Sequence, residues 1–126
     1  MKRYIPAIFC LLFASLLASA DSAIRFDRTS FDLGTIHASK GQVKATYNFT
    51  NTGDTPLVII SVSNGGCGCT KPEYPKQPIQ PGKSGTITIN FNPAGRKGEL
   101  NREVKVKTNA PASKKMALKF SGVILP

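Results

Sequence analysis

The stretch from Gln42 to Asn51 reads Gln-Val-Lys-Ala-Thr-Tyr-Asn-Phe-Thr-Asn, and it decides the fold class. Its apolar residues, Val43, Ala45, Tyr47 and Phe49, alternate with polar ones. A period of two is typical of a strand with one buried face, whereas a helix would distribute these four side chains around its axis. The stretch therefore predicts a half-buried β-strand.

A dense turn signal and a second apolar run follow directly. Residues 51–56 combine Asn, Gly, Asp and Pro, which favour turns, and residues 57–62 are rich in β-branched side chains. Such a run is typical of a more buried strand. We expect the two segments to be neighbouring antiparallel strands.

Further stretches with the same period end at turns rich in Gly and Pro. They are residues 86–92, 100–108 and 116–124, together with 24–26 and 31–36, which are expected to form one broken edge strand. About seven short strands without a helical period, a repeat or a linker predict an all-β domain, an immunoglobulin-like two-sheet antiparallel β-sandwich. Residues 64–85 fit no strand. Because long irregular segments of compact domains often carry function, we expect the site there.

Residues 1–20 have the pattern of a secretory signal peptide. Lys2 and Arg3 precede an apolar stretch, residues 5–17, and small residues end at Ala20. The apolar stretch is shorter than the roughly 20 residues that a membrane-spanning helix needs. We expect cleavage after Ala20 and export of the remaining chain, without a transmembrane anchor, to the periplasm or the exterior.

The exported domain, residues 21–126, is basic. Cleavage removes Lys2 and Arg3 and so lowers the net charge of the chain from +10 to +8. Such a charge attracts polyanions, but Lys105 and Lys107 alternate with valines, as expected of a solvated strand face. No aromatic platform for stacking bases is interleaved with the basic residues. We expect no nucleic-acid partner, and another envelope protein instead.

Two cysteines remain after cleavage, Cys67 and Cys69, and they are two positions apart. Gly65, Gly66 and Gly68 surround them and permit a tight turn with positive φ. A disulfide needs Cα atoms about 4.4–6.8 Å apart, so the pair can close only in such a turn. Chain entropy gives a three-residue ring only about 1.6 kcal/mol of stabilisation. A disulfide between Cys67 and Cys69 would therefore stabilise the fold only slightly.

Four roles for this pair are open: a structural turn with or without a disulfide, thiol–disulfide exchange, metal binding, and pairing with another chain. Exchange suits the lability of strained, exposed disulfides, although Lys71 is the only cation expected near the sulfurs. Zinc needs three or four ligands, and beyond Cys67 and Cys69 the exported chain adds His37, Met116 and scattered carboxylates. Copper(I) accepts two thiolates, so it is the one cofactor that remains an alternative.

Several motifs occur in an order that resembles a known family. They are Asp32-Leu33-Gly34-Thr35-Ile36, Phe49-Thr50-Asn51-Thr52-Gly53 with Pro56-Leu57-Val58-Ile59, Cys67-Gly68-Cys69-Thr70-Lys71-Pro72, Pro81-Gly82-Lys83-Ser84-Gly85, Thr108-Asn109 and Gly122-Val123. From about Phe26 to Ile124 the chain resembles the bacterial secreted family filed as domain of unknown function 1573. Its members are similar to the immunoglobulin-like sandwiches of the ASH and major sperm protein group. The resemblance implies that fold and an envelope location.

The most specific part of the resemblance is the cysteine loop. Its supporting residues are Gly65, Gly66, Gly68, Thr70, Lys71 and Pro72.

Two functions of different classes follow. The first is a non-enzymatic interaction or scaffold module that presents residues 64–85 and its edge strands to an envelope protein. The second is a thiol-active protein that uses Cys67 and Cys69 for disulfide exchange or copper(I) binding. Sandwiches commonly serve as binding frames, and no nucleophile elbow, phosphate-binding loop or metalloprotease helix is present in the sequence. The first function is therefore favoured.

Overall fold

The structure is a computed structural model that describes residues 21–126. The expected signal peptide, residues 1–20, lies outside the described residues. Two four-stranded sheets pack face to face, which confirms the predicted all-β immunoglobulin-like sandwich. None of the described residues belongs to a helix with the length and apolar character needed to cross a bilayer.

Eight strands within residues 21–126 form the two sheets. They are β1 (Ile24–Phe26), β2 (Ser30–His37), β3 (Val43–Asn51), β4 (Ile59–Val62), β5 (Thr70–Glu73), β6 (Ser84–Phe91), β7 (Gly98–Thr108) and β8 (Lys115–Leu125). Short 3-10 turns occupy Ala38–Lys40 and Pro111–Ser113. The first sheet has the order β1-β3-β6-β5 and the second the order β2-β8-β7-β4. All pairs are antiparallel except β2 with β8.

The alternating residues form the core, as the sequence predicts. Fully buried side chains come from both sheets: Ala45, Tyr47, Phe49, Ile87, Ile89, Phe91, Val104, Val106, Leu118, Phe120 and Ile124. The rings of Phe91 and Phe120 lie 5.7 Å apart across the two sheets. The Tyr47 hydroxyl donates a 2.5 Å hydrogen bond to the Lys119 carbonyl, which also joins the sheets.

The expected pairing of β3 with β4 is wrong, because these strands lie in different sheets. Both sides of β3 are occupied, by β1 and by β6. The Asn51 side chain also holds the intervening turn away from a hairpin. Its Nδ2 donates to the carbonyls of Thr55 (2.8 Å) and Ile79 (2.9 Å), and its Oδ1 accepts the Gly53 amide (2.9 Å).

Two further expectations need correction. Residues 24–26 and 31–36 form not one broken edge strand but β1 and β2, which belong to different sheets. Residues 64–85 do contain a strand, β5, and the start of β6. The β5 sequence, Thr-Lys-Pro-Glu, lacks apolar alternation and includes a proline. It forms a strand because it lies at a sheet edge beside β6, where proline is tolerated.

Candidate functional site

The chain between β4 and β5 crosses from one sheet to the other and carries the cysteines. Gly65 and Gly66 take the left-handed conformation that favours glycine, with φ of 68° and 84°. A Cβ on Gly65 would lie 2.8 Å from the Glu103 carbonyl oxygen, so this turn must pass close to β7. The Gly66 amide donates to Asn64 Oδ1 at 2.9 Å. The local sequence thus turns the chain sharply just before Cys67.

Backbone hydrogen bonds hold the rest of this crossover. The Cys67 amide donates to the Asn64 carbonyl at 3.3 Å, and the Thr70 amide donates to the Cys67 carbonyl at 3.2 Å. The Asn92 amide, just after β6, donates to the Cys69 carbonyl at 2.9 Å. The two cysteines are therefore placed at the junction of both sheets, beside the end of β6.

A disulfide joins Cys67 and Cys69, whose Cα atoms are 5.2 Å apart. Both residues are half-buried. Cys69 packs against the hydrophobic core, and its Sγ lies 3.6 Å from the Thr70 hydroxyl. In the small ring that the disulfide closes, Cys69 is therefore the cysteine next to the core. Cys67 instead directly follows the exposed segment 63–66.

Two donors meet at the sulfur of Cys67. The Cys69 amide lies 3.1 Å from Cys67 Sγ, and Arg96 Nη2 lies 3.2 Å from it. Arg96 is positioned by the turn after β6, where its amide donates to the Pro93 carbonyl at 3.0 Å. A guanidinium and an amide directed at one sulfur stabilise negative charge there when the disulfide is opened.

Arg96 is the functional residue that the sequence analysis missed. The expectation that Lys71 is the only cation near the sulfurs is wrong, since Lys71 lies in β5 with an exposed side chain and Arg96 makes the contact. Arg96 is 29 residues from Cys67 along the chain. Only the pairing of β5 with β6 brings its turn to the cysteine loop, and β5 carries no strand pattern.

The other residues of the predicted site have structural positions around the ring. Gly68 takes no left-handed φ and has open space around its Cα. Thr70 is buried at the start of β5, and Lys71 and Pro72 pair with Asn90 and Ile89 of β6. These residues connect the ring to the sheet, and none of their side chains joins the Arg96 contact.

Metal ligands do not cluster in the described part of the chain. Residues 21–126 contain no group of three or more His, Cys, Asp or Glu side chains able to hold a metal ion. His37 is exposed at the end of β2. Copper(I) binding by Cys67 and Cys69 would require the disulfide to be reduced first, because thiolates are the ligands.

A family comparison agrees with the motif order found in the sequence. The family model described as "Protein of unknown function (DUF1573)" matches residues 24–124. The chain belongs to this family. The resemblance stated from the sequence motifs is thereby confirmed. No curated protein matches the chain.

Solved structures share the fold of this DUF1573 chain at low identity. A protein of unknown function from Porphyromonas gingivalis W83 is 20% identical, with a TM-score of 0.71 over 89% of this chain and 51% of that one. The chain thus spans about half the length of that protein. An ASH/PapD-like domain of human CEP192 is 10% identical, with a TM-score of 0.62 over 99% and 98%. The VesB protease of Vibrio cholerae is 12% identical, with a TM-score of 0.63 over 79% and 31%. These matches show the fold alone.

A groove of about 490 Å³ in the DUF1573 domain borders the disulfide site through Arg96. Small and apolar residues form much of its lining: Ala38, Ala94, Gly95 and Pro126. Arg96 and Lys97 supply its positive charge, and the other described side chains of the lining are uncharged. Arg96 thus belongs both to the groove and to the environment of Cys67 Sγ.

Proposed function

We propose that this DUF1573 protein is an exported binding module of the bacterial envelope. It contacts another envelope protein through the end of the sandwich that carries the disulfide. One observation carries the proposal: the cysteine loop, the turn that holds Arg96 and the groove lie together at one end. Residues 63–66 and most of 94–99 are exposed there.

The sheet edges are less suited to binding than this end. Three of the four edge strands in the described residues are short, since β1 has three residues and β4 and β5 have four each. The fourth, β2, has eight residues, but its register with β8 is broken between Asp32 and Thr35. β4 also has an irregular register, and β5 contains Pro72. Edges that are short or interrupted disfavour pairing with further strands. Loops on a rigid scaffold are the usual binding elements of such domains.

Export is supported by the signal-peptide pattern of residues 1–20 and is testable directly. The protein recovered from the envelope or medium of the producing cell should begin at Asp21, as read by mass spectrometry of its N-terminal peptide. Full-length protein confined to the cytosol would contradict export.

Binding at the disulfide end is testable by photo-crosslinking in intact cells. A photoreactive side chain at Ala94 or Lys97, both exposed, should capture the same partner, identified by mass spectrometry. The control position is Lys115, which is exposed and lies at the opposite end of β8, across from Lys107. The captured partner and this protein, each purified, should then bind each other. Equal capture from all three positions would contradict the assigned surface.

Thiol–disulfide exchange is the second candidate function, and the contact of Arg96 with Cys67 Sγ favours it. Structural disulfides of secreted proteins have reduction potentials below about −300 mV and resist glutathione. A pair whose thiolate is stabilised by a cation should instead be opened by glutathione. The test equilibrates the purified protein in glutathione redox buffers and counts free thiols. A pair that stays oxidised over the whole glutathione range would eliminate this function.

A further inference from the structure

We infer that the groove binds an acidic, cysteine-containing segment of a partner polypeptide, whose thiolate attacks the sulfur of Cys67. The inference rests on the thiol-exchange function proposed above. It adds the class of substrate and the sulfur that reacts.

The lining of the groove selects the chemistry of the segment. Ala38, Ala94 and Gly95 are small residues, so an extended backbone can lie close to the surface. Arg96 and Lys97 place two positive side-chain charges on a lining whose other described side chains are uncharged. Like charge repels a basic segment, and opposite charge attracts and orients an acidic one. The complementary occupant is therefore a segment with Asp or Glu next to its cysteine.

Arg96 links the groove, where the partner segment binds, to the disulfide, where the exchange takes place. It lines the groove, and its Nη2 lies 3.2 Å from Cys67 Sγ. A guanidinium has several N–H donors in a fixed plane, so it can keep one on the sulfur and offer others to a carboxylate. A segment held by Arg96 is thereby brought towards Cys67 rather than towards another part of the surface.

The two cysteines are both half-buried, but their surroundings differ. Cys69 packs against the core, which hinders attack on its Sγ. Cys67 follows four exposed residues, 63–66, and contacts the residue that lines the groove. When Cys69 departs as a thiolate, the Thr70 hydroxyl, 3.6 Å from its Sγ, is placed to donate to it. Attack at Cys67 with Cys69 as the leaving group follows from this arrangement.

The reaction balances as an exchange between one disulfide and one dithiol. A partner thiolate forms a bond to Cys67 Sγ, the bond between Cys67 and Cys69 breaks, and the Cys69 thiolate takes a proton from solvent. The partner's second thiolate then attacks the partner sulfur of this mixed disulfide and releases Cys67 as a thiolate beside Arg96. The partner dithiol is oxidised to a disulfide, and the Cys67–Cys69 disulfide is reduced by the same two electrons.

The first experiment identifies the reactive sulfur. Two single-cysteine variants of the exported chain, Cys69→Ser and Cys67→Ser, are mixed at pH 6 with the disulfide dimer of a short peptide. Acid-quenched samples show the mixed disulfide by mass. If one thiol has a tenfold larger thiolate fraction than the other, its exchange rate is only about threefold higher, because a stabilised thiolate is a weaker nucleophile. We expect the Cys67 thiol to react at least threefold faster than the Cys69 thiol.

A measurement on the unsubstituted protein guards against misfolding of the variants. The reduced chain is treated with a limiting amount of iodoacetamide, and peptide mapping locates the label. Cys67 should be labelled first. Arg96→Gln should reduce this preference to the part that comes from the packing of Cys69 against the core, and Arg96→Lys, which keeps the charge, should reduce it less. Equal labelling, or preference for Cys69, would overturn the assignment of the sulfur.

The second experiment tests the groove. Two peptides with one central cysteine, flanked by aspartates or by lysines, are reacted with the oxidised protein at low salt. The acidic peptide should react several-fold faster, and the difference should shrink at high salt. Lys97→Glu should abolish the difference, whereas Lys115→Glu, the same charge change at the far end of β8, should preserve it. No preference, or equal loss in both variants, would overturn the groove proposal.

The outcomes of these experiments distinguish failure of this inference from failure of the thiol-exchange function on which it rests. If neither peptide opens the disulfide faster than it opens that of a free peptide containing residues 65–70, the exchange function itself fails. If exchange is fast but independent of Arg96 and of peptide charge, the exchange function stands and the inference is wrong.

Discussion

Replacing both cysteines by serine, Cys67→Ser with Cys69→Ser, should cost the fold little. The ring spans a sequence separation of two, and the chain-entropy formula gives about 1.6 kcal/mol for a loop of three residues. The crossover keeps its other supports, since backbone hydrogen bonds hold the carbonyls of Cys67 and Cys69. Only Cys69 loses contact with the core, and it is half-buried. The expected loss in the free energy of unfolding is about 1–2 kcal/mol.

Urea unfolding followed by circular dichroism measures this loss. With a slope of about 1–3 kcal/mol per molar urea for a domain of this size, the midpoint should fall by roughly 0.3–2 M. Leu118→Ala serves as the comparison, because this fully buried side chain should cost about 2–5 kcal/mol. A loss of about 4 kcal/mol or more in the serine variant would refute the reasoning. It would mean that the disulfide is a structural staple and would weaken the case for exchange.

Three further outcomes concern the turn before the ring and the bond between the sheets. Gly65→Ala should destabilise the fold by at least about 1 kcal/mol more than Gly66→Ala in the same urea assay. Both positions have positive φ, but only at Gly65 would the new Cβ press against the Glu103 carbonyl; equal losses would contradict this. Tyr47→Phe removes the hydrogen bond to Lys119 and should cost about 1 kcal/mol, within a range of 0.5–1.5, by thermal or urea unfolding; an unchanged midpoint would show that the bond contributes nothing. Burial raises the pKa of the Tyr47 hydroxyl well above its usual value near 10. The folded state therefore holds this proton while the unfolded chain loses it, so stability should be intact below pH 10 and fall as the pH rises further. Tyr47→Phe should show a shallower fall above pH 10, and identical pH profiles would refute this.

The core and the fold class were predictable because they depend on local period. Alternation in residues 42–51 identifies Ala45, Tyr47 and Phe49 as inward-facing, and all three are buried. A strand with one buried face must repeat every two residues, so this information is contained within each segment. The cysteine loop was also visible, since its glycines and cysteines are adjacent in the chain.

The partners of the strands were not predictable in the same way. Adjacent runs, residues 42–51 and 57–62, suggested a hairpin, yet they belong to opposite sheets. The deciding contacts are those of Asn51 with the turn and those of β6 with β3. β5 was missed because its pairing with β6, rather than its own residues, makes it a strand.

The candidate site likewise has features that are local in the chain and features that depend on the packing of distant segments. The sequence by itself determined the period-two strands, the identity of the core residues and the tight loop around Cys67, because each depends on residues close together in the chain. Tertiary structure alone decided the order of the strands, the inner position of Cys69 and the contact of Arg96 with Cys67 Sγ. Arg96 and Cys67 are 29 residues apart, and no local pattern encodes a contact that requires β5 and β6 to pair first.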